Sequence, residues 1–186
     1  MNADEIIFTA EEGMEKAVDY MTHEFATVRT GKASPSLVEG IEVMAYGSMM
    51  KLKQLALISS PEPRLLVINP FDASTTQAIE KAIKESNIGI QPSVDGKIIR
   101  LPIPALSEER RKDLVKTVKH IAEETRVRIR SARRDGMDGL KKTQKEGTIT
   151  EDDLATYEKD VQKLTDDYGR KVDAAFVSKE ADILKV

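Results

Sequence analysis

The spacing of apolar residues constrains this fold most, because it follows a helical period in three separate segments. In the first, roughly residues 3–29, apolar side chains recur at steps of three, four and seven, which is typical of a helix packed along one face. The stripes consist of Ile7, Met14, Val18, Met21, Phe25 and Val28 in the first segment, of Leu114, Val118, Ile121, Thr125, Ile129, Ala132 and Leu140 in the second, and of Leu154, Tyr157, Val161, Leu164, Tyr168, Val172, Ala175, Phe176 and Ile183 in the third. A single apolar stripe is not stable in water, so we expect the three helices to pack together.

Residues 31–104 have a different character, because they contain all seven prolines and several short β-like runs. These runs are separated by Gly, Pro and Ser, and they are Ile41–Tyr46, Leu55–Ser59, Leu65–Asn69 and Ile98–Leu101. One helix interrupts them, with Ser74 or Thr75 as its expected cap and with a stripe of Ala78, Ile79, Ala82 and Ile83. The pattern predicts a small α/β or β-barrel-like domain.

Together the segments predict an α+β protein in which a small domain is inserted into a three-helix bundle. The bundle is predicted to comprise residues 1–30 and 105–186, and the inserted domain residues 31–104. The tight connection at Glu146 and Gly147 makes the second and third helices antiparallel. Thr150 and Asp153 have the spacing of a capping box that opens the third helix.

Two stretches of chain connect the predicted domains, and we expect a hinge there. One stretch contains a glycine and the other reads Leu-Pro-Ile-Pro-Ala. A double connection permits hinge motion but limits its direction; a rigid interface is the alternative. The predicted hinge residues are Thr30, Gly31, Pro102, Ile103 and Pro104.

The composition argues against several classes of protein. The chain has no cysteine and two histidines, so it offers no disulfide framework, no thiolate metal site and few groups for acid–base chemistry. No run approaches the length of a membrane span, and the acidic start lacks the pattern of a secretory signal. The glycine spacing matches no phosphate-binding loop. We therefore expect a cytoplasmic protein that is not an enzyme and uses no metal and no cofactor.

The net charge of −3 conceals a strongly basic segment. Residues 105–149 carry 13 bases and 8 acids, a local charge of +5, while residues 1–30 and 150–186 carry −5 and −4. Affinity for RNA depends on the phosphates neutralised at a patch rather than on total charge. The second helix is therefore the candidate binding element.

The bases of the second helix are predicted to share one side of it. At about 100° per residue they fall within an arc of about 140°, and they are Arg111, Lys112, Lys116, Lys119, Arg126, Arg130, Arg133 and Arg134. The acids Asp113, Glu124, Asp135 and Asp138 fall outside this arc. Arginine pairs bidentately with phosphate, so the pattern favours recognition of RNA by shape. A solvated charged face, or a coiled-coil interaction or scaffold module that binds an acidic protein, remains the alternative.

Several short strings resemble those of bacterial ribosome recycling factors, in order and over essentially the whole chain. These strings are Arg29–Pro35, Asn69–Asp72, Ile98–Pro104, Glu108–Lys112, Arg133–Asp135 and Asp160–Asp166. The resemblance implies an L-shaped molecule that binds the large ribosomal subunit and its rRNA after termination. It also implies that elongation factor G, which binds the GTP, moves the inserted domain and splits the subunits. We expect a monomer that has no membrane partner.

The resemblance also assigns roles to individual residues. Arg133, which opens the Arg-Arg-Asp string, is the position that it ties most strongly to ribosome binding, and Arg130 and Arg111 match accompanying basic positions. The other candidates, Arg126, Lys119 and Arg134, come from the helical arc or from the same string. The chain departs from the family at Gly136 and Gly139, where good helix formers are usual. Each glycine costs about 1 kcal/mol in a helix, so they indicate either a tight helix crossing or a softer helix end.

Overall fold

The structure, a computed structural model, describes residues 2–185. The chain forms two compact units, one made of the residues up to Arg29 and from Glu108 onward, the other of Thr30–Ser107. The helices are α1 (Ala3–Thr27), α2 (Leu52–Leu55), α3 (Thr76–Glu85), α4 (Glu108–Lys145) and α5 (Glu151–Leu184). The strands are β1 (Glu42–Ala45), β2 (Ser48–Lys51), β3 (Ala56–Glu62), β4 (Leu65–Pro70), β5 (Ser93–Asp95) and β6 (Ile98–Pro102). The predicted α+β class, with three long helices and a β-rich unit, is confirmed. No helix within residues 2–185 has the length and apolar character needed to cross a membrane.

The three long helices α1, α4 and α5 pack together, as predicted. Later residues of α4 contact earlier residues of α5: Arg126 hydrogen-bonds to Asp173, whereas Arg133 hydrogen-bonds to Gln162. The two helices are therefore antiparallel. At 1.5 Å per residue the 38 residues of α4 span about 57 Å.

Both capping boxes in the bundle satisfy amides that a helix leaves unpaired. Asn2 and Glu5 close the start of α1, each side chain accepting from the other's backbone N–H at 2.8 and 2.9 Å. Thr150 and Asp153 do the same for α5 at 3.0 and 2.9 Å, which confirms the predicted box.

The apolar face of α1 differs from the predicted one. Ile7 and Val18 are only half-buried. The other predicted positions are buried, and Ala3, Ile6, Ala10 and Ala17 join them; the confirmed positions are Met14, Met21, Phe25 and Val28. No alanine of the first segment was counted in the predicted stripe, yet the small side chain of alanine lets neighbouring helices approach closely.

Glycines mark the crossing of α1 and α4. A Cβ atom added at Gly136 would lie 3.1 Å from the Cβ of Ala10, and one added at Gly139 would lie 3.2 Å from Ile6. Gly13 of α1 similarly faces Ala132 of α4 at 3.3 Å. Because α4 remains helical through this region, the close crossing explains the glycines, and no softer helix end is needed.

The smaller unit contains two antiparallel sheets. Strands β1 and β2 form a hairpin, and the second sheet has the order β3-β4-β6-β5. Strands β2 and β5 were not predicted, because their side chains are mostly exposed and show no apolar alternation. The inner faces and α3 enclose one core, which includes Val38, Val43, Leu52, Leu66, Ile68, Ile79, Ile83, Ile99 and Leu101.

The predicted cap of α3 is confirmed in position but not in its contact. Thr75 occupies the capping position but makes no side-chain cap hydrogen bond. Asp72 instead accepts a hydrogen bond from the backbone N–H of Ser74 at 2.9 Å, at the start of the helical turn that precedes α3.

Candidate RNA-binding surface

The candidate surface lies on α4, and we call the side chains of Arg111, Lys119, Arg126, Arg130, Arg133 and Arg134 its basic face. An adjacent side of α4, about 100° away around the helix, carries buried residues such as Leu114, Val118 and Ile129, which fix the rotation of the helix in the bundle. That burial places the basic face beside the core, at the surface of the bundle. Arg130, Arg134 and Lys119 are exposed, whereas Arg111, Arg126 and Arg133 are half-buried.

Three of these arginines line one groove on the surface of the bundle. The groove has a volume of about 690 Å³, and Arg130, Arg133 and Arg134 line it together with Lys141. Glu158 of α5 forms part of the other wall. Lys141 was not among the predicted binding residues, although it falls within the same helical arc. The groove therefore concentrates four cationic side chains within about three turns of helix.

Arg133 is held in the groove by a neutral partner. Its guanidinium group donates to the side-chain oxygen of Gln162 at 3.1 Å, and the amide nitrogen of Gln162 donates to Asp166 at 2.9 Å. Sequence reasoning missed Gln162, because an uncharged residue on another helix gives no signal in a charge pattern. The arrangement leaves the charge of Arg133 available to an external anion.

Arg126, in contrast, is engaged inside the bundle. Its guanidinium group donates to Asp173 of α5 at 2.7 Å and to Glu123 at 3.4 Å, and its side chain is 30% exposed. The hydrogen bond to Asp173, followed by the charge of that carboxylate, raises the pKa of Arg126 above its usual value. Arg126 thus links α4 to α5.

Glu123 corrects the predicted separation of charges. This carboxylate lies about 60° from Arg126 on the helix, inside the arc of the bases, and it accepts a hydrogen bond from Arg130 at 2.8 Å. That hydrogen bond, more than the one from Arg126, lowers the pKa of Glu123. The prediction named four acids of α4 that lie outside the arc and did not consider Glu123. Glu123 therefore places a carboxylate between two arginines of the basic face.

The remaining predicted residues spread along the helix. Within residues 2–185, the side chains of Arg111, Lys119 and Arg134 form no ion pair. Arg111 lies in the first turn of α4, about 33 Å from Arg133 along the helix axis, and Lys119 lies about 21 Å from Arg133. The structure thus brings Arg130, Arg133 and Arg134 together but leaves Arg111 and Lys119 outside the groove.

The predicted hinge residues fall at the borders of the smaller unit. Gly31 has a φ of +77°, and an added Cβ atom there would lie 3.2 Å from the Leu106 side chain. Pro102 is paired with Leu65 in the sheet, and the N–H of Ile103 donates to the carbonyl of Arg64 at 2.8 Å. Among the predicted residues, sheet pairing thus holds Pro102 and Ile103 within the smaller unit. The hinge stays a prediction, with Thr30, Gly31 and Pro104 as its pivots.

Comparison with known proteins identifies a single family. A family model described as ribosome recycling factor matches residues 21–184. A ribosome-recycling factor from Akkermansia muciniphila is 54% identical over 188 residues, with 100% of both chains covered. The factor from Bacillus subtilis is 49% identical over 182 residues, with 98% of both chains covered.

Solved structures agree with this comparison. A solution structure of the ribosome recycling factor is 40% identical and matches with a TM-score of 0.74, covering 100% of this chain and 99% of the other. A second match, at a TM-score of 0.64 and 40% identity, covers 100% of both chains and is described as models for the T. thermophilus ribosome recycling factor and the E. coli elongation factor G bound to the E. coli post-termination complex. The strings in the sequence, the fold and the relatives agree, and the chain belongs to the ribosome recycling factor family.

Proposed function

We propose that this protein acts in the cytoplasm as a monomeric ribosome recycling factor. It binds the post-termination ribosome and, with elongation factor G and GTP, splits it into subunits and releases mRNA and tRNA. Membership of the family supports the proposal, as does a structural relative described together with elongation factor G on a post-termination complex. In this proposal the chain is a non-enzymatic factor, and the GTP is bound by its partner.

The groove that holds Arg130, Arg133 and Arg134 is the observation that carries the ribosome-binding part of the proposal. Guanidinium groups pair with phosphate oxygens through two parallel hydrogen bonds, and they do so best when they are already oriented. A continuous helix of 38 residues presents these groups in a fixed register. Such a surface fits the backbone of folded rRNA in the large subunit by shape and charge.

The smaller unit supplies the moving part of the proposed mechanism. It joins the bundle through two stretches of chain, at Thr30–Gly31 and after Ile103. Two connections restrict a rotation to few directions. We propose that elongation factor G acts on this unit while the basic face keeps the bundle on the rRNA.

Binding to purified large ribosomal subunits tests the assignment of the surface. We expect Arg133→Ala and Arg130→Ala each to weaken binding by about tenfold, the equivalent of about 1.4 kcal/mol, and to reduce its dependence on salt. Arg170→Ala is the matched control, because it removes an arginine that is exposed on α5 and paired with Asp167. If both α4 variants fold and bind like the wild type, the basic face is not the RNA-binding surface.

The recycling activity is tested separately with post-termination ribosomes. Light scattering should report separation of the subunits only when this protein, elongation factor G and GTP are all present. Arg133→Ala should slow that separation at limiting protein, and a higher protein concentration should restore it. Separation that proceeds at the same rate without elongation factor G would contradict the proposed mechanism.

A further inference from the structure

Glu123 is the one carboxylate of α4 that bridges two arginines of the basic face within residues 2–185. Its Oε1 atom lies 2.8 Å from Arg130 and its Oε2 atom lies 3.4 Å from Arg126. The side chain is 53% exposed, so it is not required to fill the core. Its neighbour Glu124 instead faces His120, at 3.6 Å, on another side of the helix.

The two arginines bound by Glu123 differ in their other contacts. Arg126 keeps Asp173 as a second partner at 2.7 Å and is the more buried of the two. Arg130 is 56% exposed and, within the described chain, has Glu123 as its ion-pair partner. The charge of Arg130 is therefore largely compensated in the free protein, although its guanidinium group is open to solvent and lines the groove.

A carboxylate and a phosphate compete for the same hydrogen-bond donors of a guanidinium group. Glu123 occupies one Nη donor of Arg130, so an RNA phosphate that pairs with that edge of the guanidinium group displaces the carboxylate, whereas a phosphate bound at another edge still lies close to it. In both cases the carboxylate repels the phosphate. Because its hydrogen bond from Arg130 lowers the pKa of Glu123, the carboxylate stays charged around neutral pH. Within residues 2–185 Arg133 pairs with no carboxylate, since its partner is the neutral side chain of Gln162.

We infer that Glu123 is a built-in competitor of RNA phosphate for Arg130, and that it limits how tightly the basic face holds the ribosome. This inference rests on the proposed binding of rRNA by the basic face. A recycling factor must leave the large subunit after each round, so a weakened contact at one arginine favours release. Arg133 and Arg134 then provide the anchoring charge, while Arg130 contributes in part.

Replacement of the carboxylate by its neutral isostere tests the inference directly. Glu123→Gln keeps the shape of the side chain and a hydrogen-bond acceptor for Arg130 but removes the charge. We expect it to bind purified large ribosomal subunits about two- to fivefold more tightly, the range that an exposed ion pair supports. It should also dissociate more slowly, and the negative slope of log affinity against log salt should become steeper by about one.

The neighbouring carboxylate provides the matched control. Glu124→Gln changes the net charge by the same amount one residue away, and it should bind like the wild type. Combining Glu123→Gln with Arg130→Ala should abolish the gain in affinity. In the inference, Glu123 acts only by competing for Arg130, so its replacement has no effect once Arg130 is removed. Circular dichroism would check that each variant is folded.

The outcomes separate this inference from the proposed function. If Arg133→Ala weakens binding while Glu123→Gln binds no more tightly than Glu124→Gln, the competitor role of Glu123 is wrong and the RNA-binding surface stands. If Glu123→Gln gains affinity equally in the Arg130→Ala background, the effect is general electrostatics and the inference is again overturned. If Arg133→Ala, Arg130→Ala and Glu123→Gln all bind like the wild type, both the surface and the inference fail.

Discussion

Arg133 of α4 donates a hydrogen bond to the side-chain oxygen of Gln162 of α5 over 3.1 Å. Asp166 holds the amide of Gln162 from the other end at 2.9 Å. The guanidinium group is thereby oriented without being neutralised. Arg130, one helical turn away, is paired with a carboxylate at 2.8 Å. Of two neighbouring arginines, one thus has a neutral partner and the other an anionic partner. This difference can be tested by measurement.

A carboxylate at position 162 should pair with Arg133 as Glu123 pairs with Arg130. We expect Gln162→Glu to weaken binding to large ribosomal subunits by about two- to fivefold, because the new carboxylate would compete with phosphate. Thermal unfolding checks that the variant is folded, since the new carboxylate gains an ion pair with Arg133 but replaces the amide that donates to Asp166. Gln77→Glu is the control, as it adds the same charge to an exposed position of α3. Equal weakening by both variants would show that net charge, rather than the Arg133 contact, is responsible.

The helix crossing at Gly136 gives a prediction about stability. Gly136→Val should lower the free energy of unfolding by about 1–3 kcal/mol, because the added atoms have no space against Ala10. Gly169→Ala should instead raise it by about 0.5–1 kcal/mol, since a Cβ atom on Gly169 of α5 meets nothing within 4 Å. Urea unfolding followed by circular dichroism measures both. A stabilising Gly136→Val would mean that α1 and α4 cross less closely than described.

The same crossing shows what periodicity could and could not predict for the bundle. The stripes of Leu114, Ile129 and Val172 were visible because large apolar residues recur at helical spacing. The buried alanines of α1, such as Ala10 and Ala17, were missed because alanine is common on either face of a helix. The close contact that they allow depends on two helices at once, so no single segment of sequence contains it.

The prediction of the candidate site was incomplete for a related reason. The arc of bases on α4 follows from the sequence, since all of them lie on one helix. Glu123 lies on that arc too, but it was not among the acids that were compared with the arc. Gln162 and Asp173 could not be assigned to the site from sequence, because their contacts with Arg133 and Arg126 depend on the packing of α5 against α4.

The capping box of α5 predicts a dependence of stability on pH. The backbone N–H of Thr150 donates to Asp153, and this hydrogen bond is the largest cause that lowers the pKa of Asp153 below its ordinary value of 3.8. A carboxylate with a lowered pKa in the folded state stabilises the protein above its unfolded pKa, and this contribution is lost as pH falls through the folded value. Asp153→Asn should therefore be less stable than the wild type near pH 7, and the difference should shrink as the pH falls below about 4.

Denaturant unfolding across that pH range measures the effect, and Asp152→Asn is the control in the same first turn. Its backbone carbonyl accepts from Thr156, but its carboxylate does not close the box. If the two variants show the same pH profile, the contribution belongs to the charge of the helix terminus rather than to the capping box.

Arg126 is expected to stabilise the bundle rather than to contact RNA, although it lies on the same helix as Arg133. Arg126→Ala should lower the free energy of unfolding by about 1 kcal/mol, because it breaks the 2.7 Å contact with Asp173 that joins α4 to α5. Asp173→Asn interrupts the same ion pair from α5 and should have a similar effect. Neither variant should weaken binding to large ribosomal subunits as much as Arg133→Ala does. If Arg126→Ala binds as poorly as Arg133→Ala while Asp173→Asn binds normally, Arg126 leaves Asp173 in the complex and contacts RNA itself.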